Sequence, residues 1–227
     1  MDLHTPIPGA KAGVDFVKAT GHLKYHVGCD LGSLRDHTAI AIVRDILKPA
    51  PRWGKGYKQL FEPRRLELCG LVRLKIGIDW GEIVDFLKRL QQTPELADAT
   101  FTVDTTGLGA VAGSMLRERG VSFTGVTITG GDNFSEVSAQ QYRVAKMFLL
   151  TNLSTLLQGE LKIAANMSDV KELRSQIDNF AVSYSAAGNM QVNAAKGHDD
   201  LLLATSLAAF SATHVKKNFF MSTPISW

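Results

Sequence analysis

The sequence predicts an α/β fold: a mixed central sheet of about five strands, in which a hairpin joins parallel strands, with helices on both faces. Two patterns carry this expectation, a pair of apolar runs split by a short polar turn and, after it, apolar runs alternating with helical periods. LKYHVGCDLG and TAIAIVRD form the pair, and SLRDH between them closes an antiparallel hairpin. After a long basic loop, RLELCGLVRLKI reads as a third strand. WGEIVDFLKRLQQ sets Ile83, Phe86, Leu87 and Leu90 on one face of an amphipathic helix. FTVD, GLGAVAGSMLRERG and VSFTGVTI then read as a strand, a helix stopped by Gly120 and a second strand, the crossover that parallel pairing requires. Further on, a long helix is expected from about Ala139 to Gln158 and another from about Ser168 to Phe180. A hairpin around Gly188 and a last helix from His198 complete the order.

The chain has 227 residues, 45% hydrophobic and 21% charged, which is enough to bury a real core and fits one sizeable domain. That domain is expected over 24–214, with an N-terminal arm at 1–23 and an extended tail at 215–227. The apolar run LLLATSLAAF is too short to span a bilayer and follows two aspartates, so no membrane partner is expected. MDLHTPIPGAKAG lacks the basic cluster and apolar core of a secretory signal, which points to the cytoplasm. Cys29 and Cys69 lie in apolar strand-like runs without a CxxC pair, and read as two buried thiols in a reducing compartment. No zinc site is indicated.

Formal net charge is only +3, but the charge is unevenly spread. Residues 44–75 hold nine Lys or Arg against Asp45, Glu62 and Glu67, so the rest of the chain is slightly acidic. A solvated loop and a phosphate-contacting surface explain that window equally well.

Four acids stand at element ends. Asp30 closes the apolar run YHVGC, on the face opposite Cys29, and Asp104 closes FTVD; Asp199 and Asp200 open the last helix. The carboxyl ends of neighbouring parallel strands lie together, so adjacency of the two strands would bring Asp30 and Asp104 into one crevice. Gathered carboxylates repel unless cations neutralise them, and hard oxygen donors without clustered His or Cys suit two Mg²⁺ or Mn²⁺ ions. Two such ions roughly 3.5–4 Å apart serve in-line phosphodiester hydrolysis. Each acid also has a plainer use: Asp199 or Asp200 as a helix cap, Asp36 as a turn residue, Asp30 as a strand-ending turn. The arrangement of the four, rather than any one of them, favours a site.

VGCDLGSLRDHTAIAIV, VDTTGLGAVAGSMLRERG and KGHDDLLLATSLAAF resemble the three nuclease motifs of tailed-phage terminase large subunits, within the ribonuclease H-like superfamily. The likeness runs from about Tyr25 to Phe210. It implies a DNA endonuclease of low sequence specificity in which Asp30, Asp104 and Asp199 are catalytic. Metal ligation falls to the same three with Asp200, and to Asp36 directly or through water. It further implies double-stranded DNA as substrate, and as partners the portal protein, the small terminase subunit and the ATPase domain of the same enzyme. The setting would be the cytoplasm of an infected bacterial host. The chain departs from the whole-enzyme pattern in containing no GxxxxGK[ST] loop, so a nuclease domain apart from its motor, or a stand-alone relative, is expected. Some relatives carry Glu where Asp104 stands.

Among supporting residues, Lys55, Lys58, Arg64 and Arg65 are expected to contact duplex backbone without reading sequence, and Lys196 to meet a phosphate near the metals. His198 takes a supporting place beside the acids. Arg143 and Lys146 are read as water-facing residues of their helix. Rival functions are a Holliday-junction resolvase, a catalytically silent DNA-binding or assembly module, and a nucleotide-binding α/β protein. The last rests on GLGAVA, which satisfies GxGxxA but lacks the acid expected about twenty positions on.

Overall fold

A computed structural model describes residues 18–32, 36–107, 109–184, 190–194 and 198–215. The hairpin opens the fold as expected: β1 (His22–Asp30) pairs antiparallel with β2 (Ala39–Leu47). A small ribbon follows, β3 (Pro49–Trp53) against β4 (Gln59–Phe61), where an open loop was expected. β5 (Arg65–Arg73) then returns beside β2. Helix α1 (Trp80–Gln91) buries Ile83, Val84 and Leu87, and Asp79 caps it by accepting the Gly81 amide. β6 (Thr100–Asp104), α2 (Gly109–Glu118) and β7 (Thr124–Thr129) form the predicted crossover, and Gly120 ends the helix region at φ +72°.

The expected helix from Ala139 is shorter and begins later. β8 (Phe134–Ser138) and β9 (Gln141–Ala145) form a hairpin first, and only Lys146–Leu157 is helical, as α3. The window is rich in helix formers, but Tyr142 and Val144 are buried while Arg143 is exposed, a period of two. β9 extends the sheet by pairing parallel with β7, and tertiary pairing overrides local propensity there. β10 (Leu161–Ile163), α4 (Val170–Asp178), the hairpin β11 (Phe180–Tyr184) with β12 (Met190–Ala194), and α5 (Asp200–His214) complete the chain. The main sheet has eight strands in the order β10-β5-β2-β1-β6-β7-β9-β8, not about five. The additions extend the sheet at its two ends: β10, with three residues, is too short to show a period, and the β8–β9 hairpin continues the sheet beyond β7.

Alternation sorts the sheet's two faces. Val27, Cys29, Ile40, Phe101 and Val103 pack against α1 and α2. Ala39, Ala41 and Val43 face the other way, toward α3, α4 and α5. Cys69 departs from its expected burial. The β2–β5 register slips between Ile42 and Val43, leaving Cys69 as the extra residue of a β-bulge, and its side chain is exposed. Cys29 is buried, and burial pushes its thiol well up from the usual range.

Helix α5 is buried along its whole length from Asp200 to Ala212, the signature of a helix enclosed on every side. It lies across β1 at very short range because Gly28 has no side chain: a Cβ there would sit 2.0 Å from the Ala204 carbonyl oxygen and 2.4 Å from the Ala208 nitrogen. No helix among the described residues is long and apolar enough to cross a membrane. Replacing Gly28 with Ala forces backbone against backbone, and is expected to cost about 3 kcal/mol in urea denaturation, the upper end of overpacking penalties. A change below ~0.5 kcal/mol would show that α5 can move off the sheet freely.

Candidate metal centre

β1 and β6 are neighbours and parallel, in a register that pairs Cys29 with Val103. The next residues are Asp30 and Asp104, so both acids leave the same end of the sheet on the face that α5 covers. Helix α5 starts at that end and brings Asp199 and Asp200 over them. The cleft so formed has a volume of about 390 Å³ and is lined by Asp30, Asp36, His37, Thr106, His198, Asp199 and Asp200, among others.

Neither acid at the head of α5 serves as its cap. Asp199 makes no side-chain capping bond. The Leu202 amide is taken instead by Gln176 Oε1 of α4, at 3.0 Å. The two acids meet opposite fates. Asp200 is buried and accepts from Arg73 Nε at 2.7 Å, Arg73 Nη2 at 3.0 Å and Gln176 Nε2 at 3.0 Å. Asp199 keeps a quarter of its side chain exposed and accepts from Lys146 Nζ at 2.6 Å. Asp104 is steadied by an Asx turn: its Oδ1 accepts the Thr106 amide at 2.8 Å, while Thr106 Oγ1 accepts the Ile128 amide at 2.7 Å.

Asp30 is the electrostatic centre of the group. Burial first, then the carboxylates of Asp104, Asp199 and Asp200, hold its pKa well above the ordinary value, against the opposing pull of Lys146. Burial also raises Asp104, although Thr106 and Lys146 oppose the rise. Protein cations answer two of the four charges directly, through Arg73 and Lys146, and the repulsion on Asp30 remains. Among the described residues no three His, Cys, Asp or Glu groups already converge around an ion-sized point. The donor set nevertheless fits a hard divalent cation: Asp30 and Asp199 line the cleft, the Asp104 carboxylate acts on Asp30 from the neighbouring strand, and charge is left to neutralise.

No protein-family model and no curated protein matches the chain. Solved structures do match. The large terminase nuclease from thermophilic phage G20c superposes with a TM-score of 0.57 and 22% identity, over 83% of this chain and 82% of that one. The same nuclease with bound magnesium gives 0.57 and 22%, over 82% and 80% of the two chains. The large terminase nuclease domain of Thermus phage P74-26 gives 0.57 and 20%, over 87% and 84%. The chain has the fold of a phage large-terminase nuclease.

Within this terminase-nuclease fold, the other sequence-predicted residues are scattered. Asp36 stands at the rim of the cleft, largely exposed, 3.7 Å from His198 Nδ1. His198 also meets the His37 ring edge-on, with centroids 5.5 Å apart, so it joins the β1–β2 loop to the head of α5. Lys196 and the C-terminal tail lie outside the described residues. The described basic residues predicted for DNA, Lys55, Lys58, Arg64 and Arg65, do not line the cleft. Lys55 and Lys58 are exposed on the β3–β4 ribbon, at the far end of the sheet. Nine residues of β1, about 30 Å, intervene.

Arg64 is committed elsewhere. It donates to both oxygens of the fully buried Asp45, at 2.8 and 2.9 Å, and to the Ala212 carbonyl at 2.6 Å. Burial works against ionisation of Asp45, but hydrogen bonds from His26 and Arg64 outweigh it and hold the carboxyl far below its ordinary range. Arg65 pairs with Glu67 at 2.8 Å while staying more than half exposed. At the turn into GLGAVA, the Thr106 amide is spent on Asp104, and a Cβ on Gly109 would lie 2.4 Å from the Asp104 carbonyl oxygen. These glycines let the chain turn tightly beside the acid.

Sequence reasoning missed Arg73, Gln176 and Lys146. Arg143 lies on a strand, and Lys146 is the first residue of α3, turned into the cleft rather than to water. Only tertiary structure brings Lys146 and Asp199 together across 53 positions.

The raised pKa of Asp30 has a thermodynamic consequence. A group whose folded pKa lies above its unfolded value of about 4 stabilises the protein below that value, and the contribution is lost as pH rises through the folded pKa. At neutral pH and without metal, Asp30 therefore weakens the fold relative to acidic pH. Asp30→Asn is expected to melt higher than wild type in EDTA at pH 7, by ~2–4 °C per kcal/mol of repulsion removed, and to lose any stabilisation by Mg²⁺. A lower melting point for the variant in EDTA would show that Asp30 is not under repulsion.

Proposed function

We propose that this chain is a metal-dependent endonuclease that cuts double-stranded DNA, with Asp30, Asp104 and Asp199 holding two Mg²⁺ or Mn²⁺ ions. The observation that carries the reading is that β1, β6 and the head of α5 bring Asp30, Asp104 and Asp199 to one end of the sheet, close enough for the other two carboxylates to act on Asp30, on a fold shared with terminase nucleases. Two of the solved relatives are described with bound magnesium and bound cobalt, which supports a divalent requirement. When bound, such ions would lower the pKa of an attacking water and offset charge on the scissile phosphate. Thr106 orients the Asp104 carboxylate, and Arg73 with Gln176 fixes the head of α5, so the acids are pre-positioned. Asp36 and His198 line the cleft and would meet an entering nucleic acid or hold a water for the metal.

Lys55, Lys58 and Arg65 are proposed as peripheral phosphate contacts; Arg64 is not, since its guanidinium is spent on Asp45. Given the ribbon's distance from the cleft, a duplex touching both would run along the strands rather than across them. By the same likeness, the biological setting is phage genome packaging in the host cytoplasm. The portal protein, small terminase subunit and an ATPase domain are its partners.

The deciding experiment is supercoiled-plasmid cleavage with Mg²⁺, Mn²⁺ or EDTA, comparing wild type with Asp104→Asn. Cleavage should require metal and fall by roughly 100-fold or more in the variant, as expected for loss of a metal ligand. Metal-independent cutting, or cutting unaffected by the substitution, would overturn the assignment. A four-way junction cut in preference to linear duplex would instead favour a resolvase. For the ribbon, the double variant Lys55→Ala/Lys58→Ala should reduce the slope of log affinity against log salt by about 2, and an unchanged slope would remove it from the interface.

A further inference from the structure

Asp199 and Asp200 are adjacent in sequence, but their partners differ in kind. Asp200 is held by three hydrogen bonds from two side chains on different elements, Arg73 of β5 and Gln176 of α4, and Arg73 is itself braced by Glu172 at 3.4 Å. Its side chain is 6% exposed. Gln176 simultaneously takes the Leu202 amide, so this cluster also fixes the start of α5. Removing Asp200 from it would strand a largely buried guanidinium. Among the described residues Asp199 pairs with a group of the opposite character, a compact ammonium on a flexible four-carbon stem, and both side chains are a quarter exposed. Lys146 also acts by its charge on Asp30 and Asp104, so among the described residues one monovalent cation serves all three acids.

We propose that Lys146 is a tethered counter-cation. It occupies the Asp199 side of the cleft until a divalent ion replaces it, which makes Asp199 the exchangeable acid of the pair and Asp200 the fixed one. This inference rests on the metal-dependent reading above. A monovalent ammonium cannot neutralise three carboxylates, whereas a divalent ion of smaller radius interacts more strongly with each. The two cations also repel, so loading should turn the lysine away from Asp199. Its ammonium then remains beside the cleft, within reach of a phosphodiester that enters there.

The test is Mn²⁺ binding to the full chain, followed by electron paramagnetic resonance of the free ion, with melting in EDTA as a second readout. Lys146→Met should bind Mn²⁺ about tenfold more tightly than wild type, the effect of deleting one competing charge pair at intermediate dielectric. It should also melt lower in EDTA. Lys146→Arg retains the charge and should stay within ~3-fold of wild type in affinity. If Lys146→Met fails to fold, Lys146→Gln is read in its place. Asp199→Asn should lose Mn²⁺ affinity while melting as high as wild type in EDTA, and Asp200→Asn should melt lower.

Equal or weaker Mn²⁺ binding by the neutral variants, with wild-type binding intact, would overturn the competition. The reverse pattern for the two aspartates would overturn their assignment. Absence of Mn²⁺ binding in wild type and every variant would instead strike the metal-dependent reading itself and take this inference with it.

Discussion

The close seat of α5 on β1 is the constraint on which the site depends. A helix can approach a sheet at backbone range only where side chains leave room, and Gly28 with Ala204 and Ala208 provides that room at one crossing. Once α5 is clamped there, its first residues have little choice of position. Asp199 and Asp200 arrive above the end of β1, where Asp30 stands two residues beyond Gly28. The apolar burial of the helix thereby holds four acids together against their repulsion.

That repulsion is handled unevenly. Cations are supplied from both flanks, Arg73 from the β5 side and Lys146 from the β9 side, yet neither pairs with Asp30. Consecutive residues in a helix point about 100° apart, so neighbouring acids at its start can face opposite flanks and acquire different partners. One flank offers a planar guanidinium in a closed hydrogen-bonded cluster. The other offers a mobile ammonium at the edge of an open cleft. A rigid side and a yielding side would suit the ion uptake and release proposed for this centre.

Much of this was legible in the sequence. Asp30, Asp104, Asp199 and Asp200 stand out because each ends or begins an apolar run, and the strand, helix, strand order makes adjacency of β1 and β6 natural. The short strands were not legible. β10 and the β3–β4 ribbon have too few residues to show a period, and β9 runs directly into α3, so its five residues merge with a helical pattern. The partners of the acids were hidden for a different reason: Arg73 lies 127 positions from Asp200, and nothing local marks either as a partner of the other.

The basic window 44–75 illustrates how far composition can mislead. Its excess of positive charge suggests a single binding surface, but the fold divides it. Arg44 and Arg65 both pair with Glu67, Arg64 with buried Asp45, and Arg73 with Asp200, so four of the cations are partly or wholly answered by carboxylates. Glu67 and Asp45 come from within the window itself, whereas Asp200 comes from the last helix. The lysines of the ribbon, Lys55 and Lys58, keep their charge toward solvent. The arginines have become struts: Arg64 ties β2 to the carbonyl end of α5, and Arg73 ties β5 to its acidic start. The same helix is thus pinned at both ends by guanidinium groups from one stretch of sequence. That stretch contributes to the acidic site by fixing the helix that delivers two of its acids, whatever its lysines contact outside.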